Sequence, residues 1–125
     1  MLEILNNLII VTPVYEDVEA STKLFQELAK EFAQDVFIVA VDDGSVKQPL
    51  DISVIQSAGL DGVVIKLKRN VGHQRAISIG LGYVAEHMGE NQKVVVMDSD
   101  GEDTPISIKE LIAPLEKDTV DVAVA

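Results

Sequence analysis

Two hydrophobic patterns alternate along this chain. Short runs rich in valine and isoleucine, with few polar interruptions, occur at 8–12, 36–41, 63–67, 93–97 and 120–125. Such runs predict strands buried on both faces, as in a parallel sheet. Between them apolar residues recur every three or four positions: first Leu24, Phe25, Leu28, Ala29 and Phe32, then Ile77, Leu81, Val84, Ala85 and Met88, and finally Ile108, Leu111, Ile112 and Leu115. This spacing predicts a helix over 18–33 with Asp17 as its N-cap, a second that stops at Gly89, and a third that starts at Thr104 and Pro105. A shorter helix is predicted at 52–58, bracketed by Pro49 and Gly59. Pro13 is expected to end the first strand, since it cannot donate to a central ladder.

Strands that alternate with helices predict an α/β fold: a doubly wound, mostly parallel sheet in a three-layer α/β/α arrangement, formed by residues 1–125 as one unit. Such sheets take ligands at the carboxyl ends of their strands, near the point where strand order reverses. Four polar stretches are expected on that edge. They are Thr12-Pro13-Val14-Tyr15, Asp42-Asp43-Gly44-Ser45, Arg69-Asn70-Val71-Gly72 and Asp98-Ser99-Asp100-Gly101. With strand order 3-2-1-4 the first and last of these are neighbours.

Composition narrows the ligand. A formal net charge of −11 opposes binding to nucleic-acid backbones and anionic membrane surfaces. With no cysteine, thiolate metal sites are excluded, and oxygen ligands favour Mg or Mn. No apolar run approaches the ~18 residues of a spanning helix, and the first residues do not read as a secretion signal. A cytoplasmic protein is expected.

Side chains alternate along a strand, so Asp98 and Asp100 can share one side of a strand end and offer two carboxylates to one cation. The competing reading is ordinary turn and cap formation. The second acidic strand end, Asp42-Asp43, shifts the balance, because clustered like charges need a counter-ion. A calcium loop of the EF-hand type fails on Asp103 and Lys109, where glycine and glutamate are required. Gly80-Leu81-Gly82-Tyr83-Val84-Ala85 fits a dinucleotide pattern but lies within a predicted helix, so its glycines are read as packing positions. Two further alternatives are a haloacid dehalogenase type of phosphatase, with Asp98 as nucleophile and Asp100 as acid/base, and a noncatalytic receiver-like module. The first lacks room for its later motifs in the remaining residues, and the second needs its acidic pair after the first strand. His73 and His87 are read as surface or packing residues.

Taken together, the four strand ends resemble the nucleotide-sugar-binding part of a family 2 glycosyltransferase with the Rossmann-like glycosyltransferase A fold. The acidic loop followed by Thr104-Pro105 is most similar to the polyprenyl-phosphate sugar transferases. One departure is Glu16-Asp17, where the family often has Asn then Glu. The resemblance implies that Thr12, Pro13 and Tyr15 wall the nucleotide base, with Asp42 or Asp43 accepting from base or ribose. It implies that Asn70 and Gly72 form a turn that lets backbone approach the ligand, that Arg75 faces the nucleotide, and that Asp98 and Ser99 meet the nucleotide sugar. Asp98 and Asp100 would hold Mg or Mn on the diphosphate. An inverting transferase using a UDP- or GDP-linked sugar is implied, with a polyprenyl phosphate or polysaccharide acceptor, in cell wall or polysaccharide biosynthesis. The chain is expected to be the N-terminal part of a longer enzyme at the cytoplasmic face of the membrane. Its catalytic base and any membrane contact are expected beyond residue 125.

Overall fold

The computed structural model describes residues 8–32, 35–87 and 93–97, together with the backbone of 122–124. In chain order the elements are β1 (Leu8–Val14), α1 (Val18–Phe32), β2 (Val36–Asp42), α2 (Ile52–Ser57), β3 (Asp61–Lys66), α3 (His73–His87), β4 (Lys93–Val96) and β5 (Val122–Val124). All neighbouring strands pair in parallel, in the order β3-β2-β1-β4-β5. The expected α/β architecture and strand order are therefore present. The helix predicted after Pro105 falls outside the described residues.

Strand alternation explains the two buried faces. Leu8, Ile10, Val14, Val36, Ile38 and Ala40 pack with Leu24, Phe25 and Leu28 of α1 and Ile55 of α2. The intervening Ile9, Val11, Phe37 and Val39 pack with Ile77, Leu81 and Val84 of α3 on the opposite face. Gly80 lets α3 sit close to the sheet, since a Cβ there would lie 2.6 Å from Cγ1 of Val11. Gly82 has open space around it and is not a packing position.

The first strand runs two residues further than expected and includes Pro13, paired in register with Val41. The geometry removes the conflict. Met97 N donates to Val11 O at 3.1 Å, so odd-numbered residues of β1 direct their backbone groups toward β4. Pro13 thus turns its donorless nitrogen to the side where β4 has already ended at Val96. At the helix starts, Asp17 accepts from Ala20 N, as expected of an N-cap, and Asp51 caps α2 through Ser53 N. Hydrogen bonding from the Ser53 side chain, then from its backbone, lowers the Asp51 pKa below its usual value.

Among the described residues no helix is long and apolar enough to cross a membrane.

Candidate functional site

Strand order reverses between β1 and β4, since the chain winds from β1 out to β3 and then returns through α3 to the other side of β1. The carboxyl edge at this point carries the 15–17, 43–51 and 67–72 connections. Asp98, Ser99 and Asp100 follow Met97 and lie outside the described residues.

The middle connection is tied to both of its neighbours. Alternation along β2 sends the Asp42 and Asp43 side chains to opposite faces, and both are buried, with 2% and 3% of their surface exposed. Asp42 accepts from Ser45 N and Leu50 N, both at 3.0 Å, and so shapes its own loop. Asp43 accepts from Val71 N at 2.8 Å and Gly72 N at 3.1 Å, which holds the turn before α3. Asn70 completes that junction by donating from Nδ2 to Asp43 O. Gly44, at φ +79°, lies against the backbone of Arg69 and Asn70 so closely that a Cβ would overlap both. Only glycine fits there.

On the other side Glu16 plays the matching part. Its Oε1 accepts from Val46 N, Lys47 N and Gln48 N at 3.1, 3.0 and 2.8 Å, and its own N–H donates to Ser45 Oγ at 2.8 Å. Gln48 returns the contact by accepting from Val18 N. The backbone hydrogen bond from Gln48 is the largest cause of the lowered Glu16 pKa, opposed by burial and reinforced by the Lys47 and Val46 amides and the Lys47 charge. Glu16 is the one non-glycine residue with positive φ, at +52°, among the described residues. A side chain in this region is sterically unfavourable and persists where surrounding contacts fix it.

The ties place the expected site residues in distinct settings. Thr12 and Pro13 are buried, and Thr12 Oγ1 has no hydrogen-bond partner among the described residues. Tyr15 is 54% exposed at the rim, Asn70 is exposed in the β3–α3 connection, and Arg75 is exposed in the first turn of α3. Gly72 takes left-handed backbone, at φ +100°, immediately ahead of α3. His73 and His87 are exposed, and His87 stacks on Tyr83 with ring centroids 4.3 Å apart.

Two features were not anticipated. The Asp42 and Asp43 carboxylates each accept two backbone N–H groups, an arrangement the spacing did not foretell. Among the described residues no group of three or more His, Asp or Glu side chains is placed to hold a metal. The Glu16 tie was also missed, although a signal existed: asparagine, frequent at this position in the resembled family, tolerates left-handed backbone.

The model of Glycosyl transferase family 2 matches residues 9–125. The chain belongs to that family. Among relatives of this family 2 glycosyltransferase is the Bacillus subtilis protein named uncharacterized glycosyltransferase YkcC, 30% identical over 107 residues, which span 82% of this chain and 32% of the relative. Another is the undecaprenyl-phosphate 4-deoxy-4-formamido-L-arabinose transferase of Proteus mirabilis, 26% identical over 121 residues, or 92% of this chain and 35% of that protein. The chain thus spans about a third of the length of both. The crystal structure of S. aureus TarS shares the fold, with a TM-score of 0.58 and 23% identity over 88% of this chain and 20% of that one. Family membership sets aside the phosphatase and receiver alternatives.

Proposed function

We propose that this family 2 glycosyltransferase chain is the donor-binding part of an inverting, metal-dependent enzyme that takes a UDP- or GDP-linked sugar at the carboxyl edge of β1, β2 and β4. The observation that carries this reading is the reversal of strand order beside the Thr12–Tyr15 end, with three connections tied into one preformed rim. Tyr15 offers an exposed ring to the base. The turn through Asn70 and Gly72, fixed by Asp43, brings backbone toward the ligand, and Arg75 in the first turn of α3 supplies a planar cation.

Sugar transfer breaks the bond between the anomeric carbon and the diphosphate and forms one to an acceptor oxygen, so negative charge collects on the departing diphosphate. Asp98 and Asp100 are assigned to Mg or Mn, with Ser99 toward the nucleotide sugar; the cation would offset that charge. The tied carboxylates Glu16, Asp42 and Asp43 are not assigned to it. The Proteus mirabilis relative is named for an undecaprenyl-phosphate substrate, which supports a polyprenyl phosphate acceptor at the cytoplasmic face of a membrane, with polysaccharide as the other acceptor class. No acceptor base is assigned within 1–125.

Calorimetric titration with UDP and GDP tests the reading. Binding of one of them in Mg²⁺ or Mn²⁺, lost with EDTA and in Asp100→Ala, is the expected result. Unchanged affinity in EDTA removes the metal from the site, and failure of the wild-type chain to bind either nucleotide overturns the donor role.

A further inference from the structure

Tyr15 is anchored on both sides by the loop that follows β2. Before it, Val14 O accepts from Asp43 N at 2.8 Å; after it, Glu16 N donates to Ser45 Oγ at 2.8 Å. Immediately after the second anchor the chain passes through the left-handed backbone of Glu16, which turns it from the sheet edge toward α1. A residue with a Cβ has little reason to stay in that conformation by itself. What holds it is the Glu16 carboxylate, which gathers the successive N–H groups of Val46, Lys47 and Gln48. A carboxylate that accepts several N–H groups is a strong, geometrically defined anchor.

We propose that Glu16 is a positioning residue for donor binding: by locking the 15–17 turn onto the 45–48 loop, it fixes the Tyr15 ring in the orientation that receives the nucleotide base. This inference rests on the donor-binding reading above. The Glu16 carboxylate is engaged by the 46–48 amides, so its effect on the nucleotide passes through Tyr15. Without the tie, Tyr15 samples several directions and must be ordered when the nucleotide arrives. Ordering one side chain and its turn predicts about three- to tenfold weaker nucleotide binding.

The chain contains two tyrosines and no tryptophan, which makes Tyr15 directly observable. Incorporation of 3-fluorotyrosine gives one fluorine resonance each for Tyr15 and Tyr83, assigned by Tyr15→Phe. In Glu16→Ala the Tyr15 resonance is expected to shift and broaden while that of Tyr83 stays, and UDP or GDP affinity is expected to fall by the factor above. Glu16→Gly relieves the unfavourable backbone but not the loss of the tie, so it should behave like Glu16→Ala; wild-type behaviour of Glu16→Gly would overturn the proposal. Glu16→Gln keeps one acceptor oxygen and should restore part of both the resonance position and the affinity. Asp51→Ala removes a helix cap and serves as the control for general destabilisation, with Tyr15 expected to stay in place. A Tyr15 resonance unchanged in Glu16→Ala overturns the positioning role whether or not a nucleotide binds. Failure of the wild type to bind UDP and GDP overturns the donor reading, and with it the nucleotide half of this proposal, while the resonances still decide the rest.

Discussion

The turns before α1 and before α3 both pass through left-handed backbone, and both are held by a carboxylate, but with the roles reversed. At the first, the left-handed residue is Glu16, which supplies the acid and draws in N–H groups of the neighbouring loop. At the second, it is Gly72, which supplies an N–H to the acid of Asp43. A glycine needs no tie to tolerate its conformation, so there the tie only fixes position; at Glu16 it must also hold the conformation. The loop between them receives from one side and gives to the other, and it is the hub of the rim.

The hub predicts the largest effect. Gly44→Ala forces a Cβ into the Arg69 and Asn70 backbone and is expected to cost about 3–5 kcal/mol in urea denaturation, by overpacking combined with backbone strain. Asp43→Ala leaves Val71 N and Gly72 N without their acceptor and is expected to cost about 2–4 kcal/mol, with Asp43→Asn retaining part of the difference. Gly72→Ala should cost only about 1 kcal/mol, because a Cβ there meets nothing within 4 Å and the penalty is conformational. If it matched Gly44→Ala, the distinction between close approach and conformation would be wrong.

The smallest effect is the acid response of Glu16. The Glu16 pKa is lowered on folding from the ordinary 4.5, so its contribution to stability is fully present above about that pH and is lost as pH falls through the folded value. A melting temperature that is level above pH 5 and declines below 4.5 is expected, with a shallower decline in Glu16→Gln. An equal decline in both proteins would remove Glu16 from the acid response.

The fold was legible because its signals are periodic and local. Valine-rich runs such as Val36 to Val41 have few alternatives to a doubly buried strand, and the α1 stripe through Leu24, Phe25 and Leu28 marks one helix face. Pro13 misled because its effect depends on which neighbour its nitrogen faces, a property of sheet order and not of sequence. The glycosyltransferase family was legible in the joint pattern of the strand ends. Individual roles were less so. Asp42 and Asp43 look alike as letters, yet alternation sends one into its own loop and the other across to the next, and no composition rule separates a carboxylate that meets N–H groups from one that awaits a cation.

The ties on this rim also bear on how the chain folds. Glu16 and Val46 are 30 residues apart and Asp43 and Val71 are 28 apart, so the first tie is supported by the pairing of β1 with β2 and the second by that of β2 with β3. Closing loops of that length costs entropy that only the assembled sheet repays. The rim ties are therefore expected to form no earlier than the strand pairings they bridge, so in refolding the proposed nucleotide binding should appear only with the native topology.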